Sequence, residues 1–156
     1  MIASLEIAGR RIGPGQPTYV IAEISANHNQ SLAEALDLIS LAKECGADAA
    51  KIQTYTPDTI TIDSDSPLFV HGHGSLWEGK SLYQLYGEAY TPWEWHAELF
   101  AHARKIGITL FSSPFDETAV DLLEKLDAPA YKIASFELVH LPLIRRAAQT
   151  GKPLRN

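Results

Sequence analysis

The sequence predicts an α/β fold built on a parallel sheet, and three observations carry this prediction. Four short apolar segments alternate with four segments that have helical periodicity. Each apolar segment carries polar or ionisable residues near its C-terminal end. The connections between segments are long enough for crossover helices. Because ligands bind at the C-terminal ends of parallel strands, the polar residues indicate the rim of a functional site.

The first elements follow from local signals. Two short alternating runs around a glycine turn predict a hairpin over residues 4–13, which we expect to cover the bottom of the domain. The β/α units are then expected over residues 18–156. They begin with a strand at 19–25, a helix from Ser31 to Cys45 and a strand at 49–54. Ser31 and Glu34 fit a capping box, and Gly46 fits the C-terminal stop of the helix.

The segment 55–90 lacks the alternation of strand and helix signals and is rich in Ser, Asp, Gly and His. This composition predicts a long functional loop. Regularity returns at Thr91, where a second capping box predicts the start of a helix that ends at Gly107. The remaining predicted elements are a strand at 108–113, a helix at 117–126 capped by Asp116, a strand at 130–135, a helix at 141–150 and the first residues of a fifth strand. We therefore expect the chain to end partway through its architecture.

Composition excludes several functional classes. The 156 residues are 46% hydrophobic and 21% charged, which is typical of one globular domain with a real core. No apolar run is long enough to span a bilayer and the N-terminus lacks a secretory signal, so we expect a cytoplasmic protein with no membrane partner. A net charge of -6 without a basic cluster argues against nucleic-acid binding. The single cysteine, Cys45, is expected to be a buried packing residue.

Two lysines in strand-like segments are the leading candidates for anion binding. Lys51 and Lys132 are predicted at neighbouring strand exits, where their ammonium groups would hold a phosphate or carboxylate. The alternative is a structural salt bridge from each lysine to Glu23 or Glu137. Hydroxyl groups that could donate to the same phosphate belong to Ser112, Ser113 and Ser135.

Two carboxylates and the polar residues that follow the first predicted strand each have more than one possible role. Glu23 and Glu137 are candidates to orient a substrate hydroxyl, position water or act as general base, or they are only counter-ions for lysine. Asn27 and His28 follow the first strand and serve either substrate contact or turn chemistry.

Other polar and aromatic residues favour simpler interpretations. His71 and His73 are interpreted as solvated loop residues rather than as metal ligands. Trp95 is predicted to pack in the core, because it shares a helical stripe with Leu99 and Ile106. Trp77 and Tyr83 either pack the long loop or stack on a sugar.

Four segments in order resemble the sialic acid synthase family. They are residues 21–28 (IAEISANH), 51–54 (KIQT), 111–115 (FSSPF) and 129–135 (PAYKIAS). Within that family, residues 76–83 (LWEGKSLY) and 88–96 (EAYTPWEWH) resemble the pseudaminic acid synthase branch. The similarity extends over nearly the whole chain.

The resemblance implies a (β/α)8 barrel of the TIM type, of which about the first four β/α units are present here after the short N-terminal β-hairpin. It implies condensation of phosphoenolpyruvate with an N-acetylated amino sugar, 2,4-diacetamido-2,4,6-trideoxy-altropyranose, to give pseudaminic acid and phosphate. The alternatives are an N-acetylneuraminic or legionaminic acid synthase, or a catalytically incomplete half-barrel that acts as a binding or assembly module.

The resemblance also implies roles for residues at matching motif positions. Phosphoenolpyruvate would be held by Lys51, Ser113, Lys132 and Ser135. The reacting carbons or the sugar would be faced by Glu23, Gln53 and Glu137, with Lys132 also counted as catalytic.

Further partners implied by the family lie outside this chain. A divalent cation, Mn²⁺ or Mg²⁺, would polarise the sugar aldehyde, and its ligands would belong to the C-terminal half-barrel. That half-barrel and a C-terminal antifreeze-like domain are expected to be absent from this chain. The complete enzyme would be a homodimer.

Overall fold

The computed structural model describes residues 4–72, 74 and 77–155, so that His73 and Leu76 of the quoted segments lie outside the described residues. The strands and helices in chain order are β1 Leu5–Ile7, β2 Arg10–Ile12, β3 Ile21–Glu23, α1 Leu32–Glu44, β4 Ala49–Thr54, α2 Pro57–Ile60, α3 Leu82–Ala89, α4 His96–Ile106, β5 Thr109–Pro114, α5 Glu117–Lys125, β6 Tyr131–Lys132, α6 Leu141–Gln149 and β7 Leu154–Arg155. Short 3₁₀ helices cover Pro67–Phe69, Trp93–Trp95 and Ser135–Val139.

Five strands form one parallel sheet, in the order β3-β4-β5-β6-β7. Strands that follow one another in the chain are therefore neighbours in this sheet, and each connection between them contains a helix. The predicted alternation of strands and helices is confirmed, as is the start of a fifth strand.

The main hydrophobic core lies between this sheet and its crossover helices. Ala50, Ile52, Leu110 and Ile133 supply the sheet side of the core. The helices contribute fully buried side chains, among them Ile39 of α1, Leu99 of α4, Leu123 of α5 and Leu143 of α6. Because side chains alternate along a strand, the residues between these positions face the opposite side of the sheet. We call that side the inner face.

The N-terminal hairpin covers one end of the inner face. β1 and β2 pair antiparallel, as predicted, and Ile7 packs with Ala49, Phe111 and Ala130 in a second hydrophobic cluster. Ala49 and Ala130 lie at or just before the N-terminal ends of their strands. The hairpin therefore closes the bottom of the inner face and leaves the C-terminal ends of the strands open.

Helix boundaries agree with the sequence signals except at α4. The Ser31 side chain accepts from the backbone N–H of Glu34, and Asp116 accepts from those of Thr118 and Ala119. The capping box predicted at Thr91 is wrong, since Pro92 instead precedes a 3₁₀ turn that leads into α4. The cause is that Thr91 is buried against His28 and is not available to cap the helix.

Two further predictions are corrected by the structure. The segment 55–90 is not one irregular loop, because α2 and α3 lie within it. Pro57 at the start of α2 and the Ser81–Gln84 capping box of α3 are start signals that the polar composition of the segment obscured. Cys45 is exposed rather than buried, because it follows α1 as its C-cap residue.

The two outer strands of the sheet are each paired on one side only within the described part of the chain. Large apolar side chains are exposed beside β3, at Val20 and Leu41, and after β6, at Phe136 and Val139 of the 3₁₀ helix and at Leu141, the first residue of α6. Among the described residues, no helix has both the length and the apolar character needed to cross a membrane.

Candidate anion site on the inner face

Lys51 is a buried cation at the centre of the inner face. Its side chain is only 9% exposed, and its ammonium group forms an ion pair with the Glu23 carboxylate on β3. The same ammonium nitrogen donates to Ser113 Oγ on β5 at 3.3 Å. Glu23 has a 44% exposed side chain, so the pair opens to solvent on the carboxylate side. Lys51 thus lies where an incoming anion can reach it.

Gln53 and Ser113 extend this cluster toward the C-terminal ends of the strands. They are register partners across β4 and β5, and each lies two positions beyond the previous inner-face residue of its strand, Lys51 or Phe111. Ser113 is 1% exposed, whereas Gln53 is partly exposed. A cation, a hydroxyl group and an amide therefore share one surface.

Lys132 also faces inward, because its neighbours Tyr131 and Ile133 belong to the helix-side core. The prediction that Lys51 and Lys132 lie on neighbouring strands is wrong, since β5 separates β4 from β6. Their backbones are consequently about 10 Å apart, twice the spacing of adjacent strands. Lys132 forms no ion pair with any residue that the structure describes.

Ser135 and Glu137 belong to the 3₁₀ helix that follows β6. Ser135 is exposed, whereas Glu137 is partly buried. Glu137 Oε2 is buried and has no hydrogen-bond partner among the described residues. Burial raises the pKa of the Glu137 carboxyl, against smaller opposing effects of a backbone N–H, His140 and Lys132. An unpartnered buried carboxyl oxygen requires an explanation, and a bound substrate would supply one.

Aromatic residues line the C-terminal rim beside these groups. Tyr55 follows β4, Phe115 follows β5, and their rings pack edge to face with centroids 5.2 Å apart. Tyr86 of α3 packs on Tyr55 at 5.6 Å, and burial and the charge of Glu137 raise the pKa of Tyr86. Tyr86 was not among the predicted site residues, although Leu82, Leu85 and Tyr86 have the spacing of a helix face.

Asn27 and His28 form hydrogen bonds within the loop after β3, and His28 also contacts Thr91. His28 is 1% exposed; its Nε2 lies 3.2 Å from Thr91 Oγ1 and its Nδ1 accepts from the backbone N–H of Gln30 at 3.2 Å. The Asn27 amide donates to the Ile24 carbonyl at 2.9 Å. These contacts favour the turn role over substrate contact for both residues.

Ser112 does not share the position of Ser113. It lies on the helix side, 2.6 Å from Thr54 Oγ1 through its own hydroxyl oxygen, and is fully buried. The expectation that Ser112 donates to the same anion as Ser113 is therefore wrong, because adjacent strand residues point to opposite faces.

No cluster of three or more His, Cys, Asp or Glu side chains suited to a metal ion occurs among the described residues. The oxygen donors of the inner face, Glu23, Gln53 and Glu137, come from three separate segments. The residues present therefore do not form a divalent-cation site by themselves, and no chemical step is assigned to a metal.

Comparisons with known proteins show which proteins this chain is similar to in sequence. The chain is 52% identical over 139 residues to the pseudaminic acid synthase of Helicobacter pylori, which covers 89% of this chain and 41% of that protein. It is 32% identical to the human N-acetylneuraminate-9-phosphate synthase, over 94% of this chain and 40% of that protein. It thus spans about two fifths of the length of the curated relatives it matches.

The fold comparison agrees. The crystal structure of the spore coat polysaccharide biosynthesis protein SpsE from Bacillus subtilis superposes with a TM-score of 0.74 and 32% identity, over 97% of this chain and 39% of that one. The architecture is of the (β/α)8 barrel type, represented here by four β/α units and a fifth strand in the described residues. The sequence model of the NeuB family matches residues 38–155. The chain therefore belongs to the NeuB family.

Proposed function

We propose that this chain supplies the phosphoenolpyruvate side of a pseudaminic acid synthase active site. The observation that carries the proposal is the buried Lys51 ammonium group between Glu23 and Ser113. An ammonium group has three N–H donors, and the described contacts use two of them. The third is available to an anionic oxygen that enters from the open end of the inner face.

The spacing of the two lysines suits a ligand with two anionic groups. Phosphoenolpyruvate carries its phosphate and its carboxylate on the same carbon, C2, and each lysine side chain reaches about 6 Å from its backbone. Lys51 and Ser113 then hold one group from β4 and β5, while Lys132 and Ser135 hold the other from β6 and the turn after it. Gln53, the register partner of Ser113, orients the ligand through its amide from the β4 side.

The proposed reaction joins C3 of phosphoenolpyruvate to the aldehyde carbon of an open-chain amino sugar. The enol π electrons form the new bond, and Glu137 gives its proton to the aldehyde oxygen, a role favoured by its raised pKa. Water then adds at C2 and returns a proton to Glu137. The bond between C2 and the phosphate ester oxygen then breaks, phosphate leaves with the bonding electrons, and the C2 hydroxyl group gives its proton to the departing phosphate as the 2-keto group forms. Glu23 accepts hydrogen bonds from the sugar and balances the Lys51 charge.

The acceptor is proposed to be 2,4-diacetamido-2,4,6-trideoxy-altropyranose in its open-chain form. Supporting this, identity to the pseudaminic acid synthase of Helicobacter pylori is 52%, against 32% to the human N-acetylneuraminate-9-phosphate synthase. Residues 76–83 and 88–96, which flank Tyr86 of α3 in the sequence, resemble the pseudaminic acid synthase branch. An N-acetylneuraminic or legionaminic acid synthase is the second candidate, because the inner-face residues act on the phosphoenolpyruvate that all these reactions share.

Titration calorimetry of the chain with phosphoenolpyruvate tests the proposal. We expect saturable binding to the parent chain and at least about tenfold weaker binding to Lys51→Met, because a charge-assisted contact is lost. The matched control is Lys43→Met, since Lys43 is a surface residue of α1 that donates to the Gly107 carbonyl. Equal binding by Lys51→Met and the parent chain would reject the proposed site. An absence of binding by the folded parent chain would reject this part of the proposed function.

A further inference from the structure

The segment 91–96 touches the chain just beyond the ends of two adjacent strands. Thr91 Oγ1 lies 3.2 Å from His28 Nε2 in the loop after β3. The Trp93 indole N–H donates to the Tyr55 carbonyl, directly after β4, at 3.1 Å. Both contacts lie at the C-terminal ends of the strands, where the inner-face site opens. The segment 91–96 therefore connects the loop after β3 with the residue after β4.

His96 extends these contacts to β5 through two hydroxyl groups. Its Nε2 is 2.8 Å from Thr54 Oγ1, and Thr54 Oγ1 is 2.6 Å from Ser112 Oγ. All three residues are 0% exposed. Thr54 and Ser112 belong to the last part of β4 and β5, so one chain of hydrogen bonds joins the N-terminus of α4 to both strands.

Counting the available protons shows which atom donates in each of these hydrogen bonds. His96 Nδ1 lies 3.1 Å from the Pro92 carbonyl, which can only accept, so Nδ1 carries the proton of the neutral ring. Nε2 then accepts from the Thr54 hydroxyl group, and the Ser112 hydroxyl proton is shared between Thr54 Oγ1 and the Ile52 carbonyl, which lies 3.1 Å from Ser112 Oγ. Burial keeps the ring neutral by lowering the pKa of His96. A buried polar chain of this kind has directional geometry that an apolar contact lacks.

Two inner-face residues are next in sequence to residues of this hydrogen-bond network. Gln53 precedes Thr54, Ser113 follows Ser112, and Gln53 and Ser113 are register partners. We propose that His96 is a positioning residue: through Thr54 and Ser112 it fixes the alignment of the β4 and β5 ends, and with it the placement of Gln53 and Ser113 toward the bound anion. The inference rests on the proposed function for the identity of that anion.

A second hydroxyl–imidazole contact in the protein provides a matched control for the His96 network. Ser40 Oγ lies 2.8 Å from His102 Nε2, which joins α1 to α4 away from the strand ends. This is also a hydroxyl–imidazole contact made by a histidine of α4. Loss of it removes the same kind of interaction without touching β4 or β5.

The test compares Thr54→Val, which removes the hydroxyl group at nearly constant volume, with Thr54→Ser, which keeps it. For each we measure the phosphoenolpyruvate dissociation constant by calorimetry and the Gln53 side-chain amide resonances of the ligand-free protein by NMR. We expect Thr54→Val to weaken binding by about fivefold or more and to shift the Gln53 resonances, because an unpaired buried group displaces its neighbours. Thr54→Ser and Ser40→Ala should remain within about twofold of the parent.

Unchanged affinity and unmoved Gln53 resonances in Thr54→Val would overturn the inference and leave the network a purely structural one. Ser112→Ala, which removes a single oxygen atom, replaces Thr54→Val if that variant does not fold, with the same expected and contradicting results. If the parent chain binds no phosphoenolpyruvate, the proposed function fails, and the Gln53 resonances alone decide the positioning role.

Discussion

Lys51 on β4 and Ser113 on β5 are joined across the inner face by a hydrogen bond of 3.3 Å from Nζ to Oγ. This contact lies between a bottom closed by the hairpin and a rim lined by aromatic residues. An ion pair between a buried cation and a half-exposed carboxylate contributes little to the free energy of folding, because desolvation offsets much of the attraction between the charges. The arrangement is better explained as a site prepared for an anion.

Replacing the carboxylate should strengthen anion binding. In Glu23→Gln, Lys51 loses its counter-ion, so we expect inorganic phosphate to bind about three- to tenfold more tightly at low salt, with the gain reduced as ionic strength rises. Calorimetry at two salt concentrations measures this. Glu34→Gln is the control, because Glu34 of α1 is an exposed carboxylate that accepts from the Asn29 side-chain amide. Weaker phosphate binding in Glu23→Gln would mean that Glu23 itself contacts the anion through bound solvent or a proton.

The buried His96 should make the protein sensitive to acid. Burial lowers the pKa of His96 from 6.5 to about 4, so between these values the unfolded chain binds a proton that the native protein does not. Stability from this residue is complete above pH 6.5 and falls as the pH drops toward 4, by on the order of 3 kcal/mol. Urea unfolding at several pH values measures the slope. His96→Gln should flatten it in this window, and an equal slope in both proteins would contradict the assignment.

The helix-side core should respond to truncation at α6. Leu143 is 0% exposed, whereas Leu141 on the same helix is 64% exposed. Leu143→Ala should lower the free energy of unfolding by about 2–5 kcal/mol through lost burial and a cavity. Leu141→Ala should change it by less than about 0.5 kcal/mol. Similar losses in the two variants, measured by urea unfolding, would show that α6 is not packed as described.

Studied by itself, the 156-residue chain should self-associate. β3 and β7 each have one unpaired edge within the described residues, and Phe136 and Val139 are 83% and 84% exposed nearby. Unpaired edges and apolar patches favour contact between chains. Sedimentation velocity should show concentration-dependent association that decreases in the double variant Phe136→Ser and Val139→Ser. A monomer at all concentrations would contradict this prediction.

The sequence predicted the sheet well because its strands are apolar runs with polar ends, a signal that local composition carries directly. It was less informative where long-range contacts decide. For His28 it left substrate contact and turn chemistry open, because the partner Thr91 lies 63 positions away in the chain. Ser112 and Ser113 looked equivalent because only the register of β5 separates their faces. The sequence offered two roles for the aromatic run that includes Tyr86, packing of the long segment or stacking on a sugar, but its contact with Tyr55 depends on how α3 packs over the rim.

The central claim, that Lys51 and Ser113 hold an anionic group of phosphoenolpyruvate, is tested most directly by a crystal structure of the chain with this ligand. We expect an anionic oxygen within about 3.2 Å of both Lys51 Nζ and Ser113 Oγ, with Lys132 contacting the other anionic group. Phosphoenolpyruvate bound elsewhere, with the Lys51–Glu23 pair and the Ser113 contact unchanged, would contradict it.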